Sequence, residues 1–282
     1  MESSLITRIR QLYPKMSSNQ RRLAEYLLQN YDRAAFFTAL ELGKTLDISE
    51  STVIRFANFL GYSGFPDLSK DIQNMVQNRI TTVDRLKLSL NNPRQNILNY
   101  VLTTDMNNIE KTMEDISKED FTKAVAAISK AKKIYIISMR SGAAVGRYLY
   151  YYLNLLLKNC YFLSGDGLIF EELINAGPED LVIGISISRY TRQTVEGLKL
   201  VREKGVQTLA ITDSHTSPLA RYGQYVLVAH CTMTSFIDSF VAPLSLVNAL
   251  ITAVGSQNER SEEVLAQLED VWEEFNTFYK DE

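Results

Sequence analysis

The sequence predicts an α/β fold class with an all-α N-terminal domain, namely a helical bundle followed by a five-stranded parallel α/β sandwich. Three observations lead there. Up to about residue 78, apolar residues recur at helical spacing behind helix-start signals. After Lys130, short apolar runs alternate with helical stretches, the pattern of parallel strands joined by crossover helices. At 282 residues the chain also exceeds one average domain.

In the N-terminal part, Ser17 to Gln20 reads as a capping box ahead of Leu23, Leu27, Leu28 and Tyr31, which share a helix face, and Pro14 separates it from an earlier helical turn. A second box, Thr38 to Glu41, opens a short helix bearing Leu42 and Leu46. Ser49 is the expected N-cap of the next helix, whose Val53, Phe56, Ala57 and Leu60 fall at i, i+3, i+4 and i+7, with Gly61 in the C′ position. These define a domain over 1–78. Residues 79–118 are polar, with breaks at Thr81-Thr82 and Asn91-Asn92-Pro93, and read as a helical linker.

The α/β domain is expected over 119–258. Its strands fall near Ile134-Ser138, Tyr161-Leu163, Leu181-Ser186, Val206-Thr212 and Tyr225-Val228, and its helices near Ser141-Leu157, Gly167-Asn175, Thr191-Lys204 and Phe236-Gly255. A C-terminal helix, Ser261-Tyr279, occupies 259–282.

Composition narrows the function classes. With 45% hydrophobic and 22% charged residues, the chain has no collagen-like, coiled-coil or disordered bias. Cys160 and Cys231 are its two cysteines and have no metal-ligand pattern beside them, which favours buried thiols in a reducing compartment. The start lacks a secretory signal, and the uncharged stretch Ser239–Gly255 is short and broken by Pro243, so a cytoplasmic location and no membrane partner are expected. Neither a cofactor nor a metal site is implied. The net charge of -3 is uneven, since residues 1–80 carry ten Lys/Arg against eight Asp/Glu. The sign of that surplus suits nucleic acid, although its size is small.

Two helices joined tightly, Leu40-Leu46 and Glu50-Leu60, make a helix-turn-helix, in which the second helix enters the major groove of a duplex. With the apolar positions turned inward, Ser49, Ser51, Thr52, Arg55 and Asn58 are left as groups suited to phosphates and base edges, Arg55 foremost. The structural alternative is a helical hairpin with a solvated face. The run Leu42-Gly43-Lys44-Thr45-Leu46-Asp47-Ile48-Ser49-Glu50-Ser51-Thr52-Val53-Ile54-Arg55-Phe56, closing on Leu60-Gly61-Tyr62, resembles the N-terminal domain of RpiR-family transcription regulators. Two positions depart from that pattern: Gly43 stands where Ala is usual, and Asp47 where Gly is frequent.

Ser138-Met139-Arg140-Ser141-Gly142 and Ser186-Ile187-Ser188-Arg189-Tyr190-Thr191 both leave a strand and enter a helix, where free N–H groups and hydroxyls can cradle a phosphate. Ser and Thr also cap helices everywhere, so it is the pairing of the two segments that matters. Residues 121–255, with Ala210-Ile211-Thr212-Asp213 and Ser217-Pro218-Leu219-Ala220, resemble the sugar isomerase (SIS) domain that accompanies this helix-turn-helix in RpiR-family regulators. That resemblance implies that Ser141, Ser186, Ser188 and Thr191, with Thr194 adjacent, hold the phosphate of a sugar phosphate. It also shows Gly as usual where Ser138, Arg140 and Arg189 stand. Arg140 and Arg189 therefore admit two readings, direct contact with an acidic ligand or pairing with carboxylates across a subunit contact.

The expected function is thus a bacterial regulator whose grip on operator DNA is modulated by a sugar phosphate or related small anionic metabolite, and which is not an enzyme. A homodimer or homotetramer would space two recognition helices on a palindromic site. A sugar-phosphate isomerase is the alternative, with His215, His230, Glu171 and Glu172 as the few candidate bases. A third reading keeps the pocket but signals to protein partners without binding DNA.

Overall fold

The computed structural model describes residues 4–35, 37–69, 71–72, 81–91, 96–165 and 168–279. Residues 1–3, the Asn92-Pro93 break and Gly167 lie outside the described residues. The chain divides into two compact units, Met1–Leu88 and Ser89–Glu282.

The first unit holds α1 (Ser4–Leu12), α2 (Ser18–Gln29), α3 (Tyr31–Ala34), α4 (Ala39–Thr45) and α5 (Glu50–Phe59), and α6 (Thr82–Asn91) runs across the division. Both capping boxes form: the Ser17 N–H donates to Gln20 Oε1 at 2.8 Å and the Thr38 N–H to Glu41 Oε2 at 2.7 Å. The bond from Thr38 holds the Glu41 carboxyl below the usual range. Helix α4 stops because Asp47 takes a left-handed backbone (φ 51°), which lets the Ile48 N–H reach back to the Gly43 carbonyl at 2.9 Å. Helix α5 stops the same way at Gly61 (φ 88°), with the Tyr62 N–H on the Ala57 carbonyl at 3.1 Å. Leu23, Leu42, Val53, Phe56 and Leu60 form the core between these helices.

Gly43 sets how tightly the α4–α5 turn closes. A Cβ there would lie 2.8 Å from the Ile48 carbonyl oxygen, a backbone atom that cannot swing aside. Gly43→Ala is expected to lower stability by about 1 kcal/mol, the overlap outweighing the helix propensity gained. Urea unfolding monitored by circular dichroism measures it, and an unchanged midpoint would show that the turn relaxes freely.

The second unit contains α7 (Ile97–Asp115), α8 (Lys118–Lys130), β1 (Ile134–Ser138), α9 (Ala143–Leu157), β2 (Cys160–Leu163), α10 (Ile169–Leu173), β3 (Leu181–Ile185), α11 (Arg192–Glu203), β4 (Gln207–Thr212), β5 (Tyr225–Val228), α12 (Val241–Gln257) and α13 (Ser261–Glu274). Its five strands are all parallel, in the order β2-β1-β3-β4-β5. Alternate strand residues enter two cores. Ile134, Ile136, Ile183 and Leu209 pack under α8, α9 and α12, while Tyr135, Ile137, Val182 and Ala210 pack under α10 and α11.

Most boundaries fall within two residues of the sequence expectation, and three larger differences stand out. Helix α12 begins at Val241 rather than Phe236, because a start at Phe236 would put Pro243 inside the helix; it occupies the first turn instead, and Met233 bridges Asp238 before it. Helix α13 ends at Glu274, where left-handed Asn276 (φ 48°) lets the Thr277 N–H bond to the Trp272 carbonyl. Residues 97–115, read from the sequence as part of a linker, form a helix bound to the segment after β5: the Thr112 hydroxyl accepts from the His230 N–H at 2.8 Å, and Asn108 Oδ1 from the Thr232 hydroxyl at 2.7 Å.

Candidate functional site

On α5, Val53, Phe56 and Ala57 are completely buried, while Ser49, Ser51, Arg55 and Asn58 are exposed and Thr52 is half-buried. Ser51, Arg55 and Asn58 share one face of the helix. Ser49 takes the extended backbone of an N-cap, but its side chain caps no N–H; its hydroxyl lies instead 2.8 Å from that of Thr52 and 3.0 Å from that of Ser51. Arg55 lies along its own helix, with Nε donating to the Ser51 carbonyl at 3.2 Å. Two further arginines, not singled out by the sequence, fix the motif. Arg22 of α2 donates to the Leu46 carbonyl at 2.6 Å, and Arg8 of α1 to the Leu60 carbonyl at 3.0 Å. Each binds a helix-terminal carbonyl, a long-range contact without a local sequence pattern.

The second candidate site lies at the carboxyl ends of β1 and β3. These strands are neighbours, with Ser138 in register with Ile185, and the Ser138 hydroxyl donates to the Ile185 carbonyl at 3.3 Å. From here the chain departs to opposite faces of the sheet, into α9 after β1 and α11 after β3, which makes the β1–β3 crevice a topological switch point. Helix α9 can approach so closely because Gly146 has no side chain; a Cβ there would meet Ser138 Cβ at 2.6 Å.

Of the residues expected at this site, Ser141 and Arg140 form an exposed 3-10 turn before α9. Ser186 and Ser188 are buried, the Ser186 hydroxyl accepting from the Thr191 N–H at 3.2 Å, and the Thr191 hydroxyl lies 2.8 Å from that of Thr194. Arg140 (φ 55°) and Arg189 (φ 62°) are both left-handed, a conformation that costs a non-glycine residue about 1–2 kcal/mol. Asp213, which the sequence offered within the Ala210-Ile211-Thr212-Asp213 run without a site role, organises the β3 loop from the end of β4. Its carboxylate accepts from the Tyr190 hydroxyl at 2.8 Å, the Ser188 N–H at 3.2 Å and the Thr212 hydroxyl at 3.2 Å. Burial pushes the Asp213 carboxyl above the usual range, and those hydrogen bonds oppose the shift. An acidic residue directly after an apolar strand was the available signal.

The other candidate groups sit elsewhere. His230 Nε2 lies 2.6 Å from Asp115 of α7, and His215, Glu171 and Glu172 are exposed. Both cysteines are buried; burial pushes the Cys160 thiol up to about 12 and Cys231 well above its ordinary value. Among the described residues no helix is long and apolar enough to cross a membrane.

Comparison with known proteins identifies both units. Residues 3–79 match the helix-turn-helix domain of the rpiR family, and residues 127–253 match the SIS domain. The sugar isomerase domain of an RpiR transcription factor from Sphaerobacter thermophilus is 35% identical, covering 60% of this chain and 96% of that one with a TM-score of 0.58. The Vibrio vulnificus NanR protein complexed with ManNAc-6P is 21% identical, covers 96% of this chain and 99% of its own, and gives a TM-score of 0.62. The HTH-type transcriptional regulator HexR of Escherichia coli is 24% identical over 221 residues, 77% of this chain and 75% of HexR. The chain belongs to the RpiR family of transcriptional regulators, which join a helix-turn-helix to an SIS domain.

Proposed function

We propose that this regulator binds operator duplex through α5, with Ser49, Ser51, Thr52, Arg55 and Asn58 as the contacting side chains. We propose equally that a sugar phosphate or related small anionic metabolite, held at the β1–β3 crevice, modulates that grip. The observation that carries the reading is the division of α5: Val53, Phe56 and Ala57 are spent on the core, and beside Glu50 and Ile54 the exposed positions offer hydroxyl, guanidinium and amide groups to a partner. Support for the effector comes from two helix N-termini with hydroxyls, those of α9 and α11, flanking a switch point. The ManNAc-6P bound by the Vibrio vulnificus protein supports the same ligand class.

A mobility-shift assay with duplex from upstream of the chain's own gene, titrated with salt, tests DNA binding. Specific retention that weakens linearly in log salt is expected, and equal retention of a scrambled duplex would overturn the reading. The ligand arm uses a panel of pentose and hexose phosphates, with inorganic phosphate as the minimal probe. Ser186→Ala removes the acceptor that positions the Thr191 N–H, so affinity for the panel's best binder is expected to fall by about 1 kcal/mol, with affinity for DNA in its absence unchanged. Wild-type ligand affinity in that variant would count against the crevice.

A further inference from the structure

Helix α7 falls into three sectors when its residues are placed at about 100° intervals. One sector carries Asp105, Asn108 and Thr112 and is hydrogen-bonded to Ser239, Thr232 and His230. A second, with Thr103, Asn107, Glu110 and Glu114, is polar and solvated. The third spans about 80° of the helix circumference and holds Leu98, Leu102, Met106, Ile109 and Met113, all five of them exposed, at 67, 52, 69, 38 and 70%. The helix thus satisfies polar groups against its own unit and leaves its apolar stripe in solvent. That stripe exposes on the order of 500 Å² of apolar surface, at the upper end of what a soluble monomer leaves open.

We propose that this stripe is the contact between two copies of the chain, paired antiparallel about a twofold axis beside Met106. The spacing of 4, 4, 3 and 4 residues along the stripe matches the ridges of close helix pairing. Charge selects the direction. Ile97–Thr104 carry no charge, whereas Asp105, Glu110, Lys111, Glu114 and Asp115 crowd the other half. Parallel pairing stacks like charges; antiparallel pairing sets each acidic half against an uncharged half and the positive end of a helix dipole. The stripe maps onto itself about a point between Asp105 and Met106, close to the middle of Ile97–Asp115. Leu102 meets Ile109 of the partner subunit, and Leu98 meets Met113 of the partner subunit. Area supports a stable pair, since the stripe together with exposed Phe236 and Ile237, on the segment bonded to α7, approaches the roughly 800 Å² per partner of an ordinary interface.

The test uses the full chain without DNA or metabolite, so its outcome is independent of the proposed function. In sedimentation velocity, Met106→Lys is expected to halve the mass of the assembly, and Asn107→Lys, in the solvated sector, to leave it unchanged. A wild-type monomer, or a folded Met106→Lys protein of unchanged mass, overturns the proposal. Cysteine crosslinking decides the matter even if Met106→Lys does not fold. With a short bis-maleimide, Met106→Cys is expected to crosslink to itself, and Leu98→Cys to crosslink with Met113→Cys when the two proteins are mixed. Native background is low because Cys160 and Cys231 are buried. Leu98→Cys crosslinking to itself and not to Met113→Cys would show a parallel pair and overturn the assignment, as would no crosslinking at all.

Discussion

Replacing Arg55 with alanine is expected to weaken operator binding by about 1–3 kcal/mol, roughly 5- to 150-fold, if its guanidinium makes a bidentate contact to a base edge. In the free protein the side chain is held by the Ser51 carbonyl and the Thr52 hydroxyl, at 3.2 and 3.4 Å. Both bonds are exposed, so exchanging them for a duplex costs little. Competition with a scrambled duplex distinguishes two modes. A base contact makes the loss specific to the operator, whereas a phosphate contact weakens both duplexes alike and lowers the salt slope by about 1. Arg55→Lys separates them further, because lysine keeps the charge and loses the fork. Unchanged affinity in Arg55→Ala would remove α5's central cation from the interface, leaving a solvated helix face.

Local chemistry was legible in the sequence, and long-range chemistry was not. Ser17 with Gln20 and Thr38 with Glu41 announce their helices because a capping box is complete within four residues. The strands were legible because residues buried on both faces of a parallel sheet read as continuous apolar runs, as in Ile134–Ser138 and Leu181–Ile185. Helix α7 was read as linker for the opposite reason. Its hydrogen bonds to the rest of its unit include Asp105–Ser239, Asn108–Thr232, Thr112–His230 and Asp115–His230, each spanning more than a hundred residues, and because the face it turns to that unit is polar, its apolar stripe did not mark it as part of the core. The site divides the same way. Hydroxyls at two strand exits were visible locally, but Asp213 joins Tyr190 and Ser188 only once β3 and β4 are neighbours in the sheet.

That carboxylate carries the second large effect. Asp213→Ala leaves the Ser188 N–H and the fully buried Thr212 without their acceptor, and stability is expected to fall by about 1–3 kcal/mol. Because the Ser186–Thr191 loop loses its anchor, affinity for the best sugar phosphate is expected to drop at least about tenfold, or 1.4 kcal/mol. Affinity for DNA alone should stay as in the wild type, since α5 belongs to the other unit. Titration provides a check that a merely damaged fold would not pass. Burial raises the folded-state pKa of Asp213, so its contribution is most favourable at pH values below the unfolded carboxylate value of about 4 and is lost as pH rises through the raised folded value. Asp213→Asn preserves the shape and cannot ionise. Wild-type stability relative to that variant is therefore expected to decline with rising pH across this window, measured as urea midpoints. A difference that is flat or increases with pH would mean that the three donors, rather than burial, govern the carboxyl, and that the loop is held chiefly by charge.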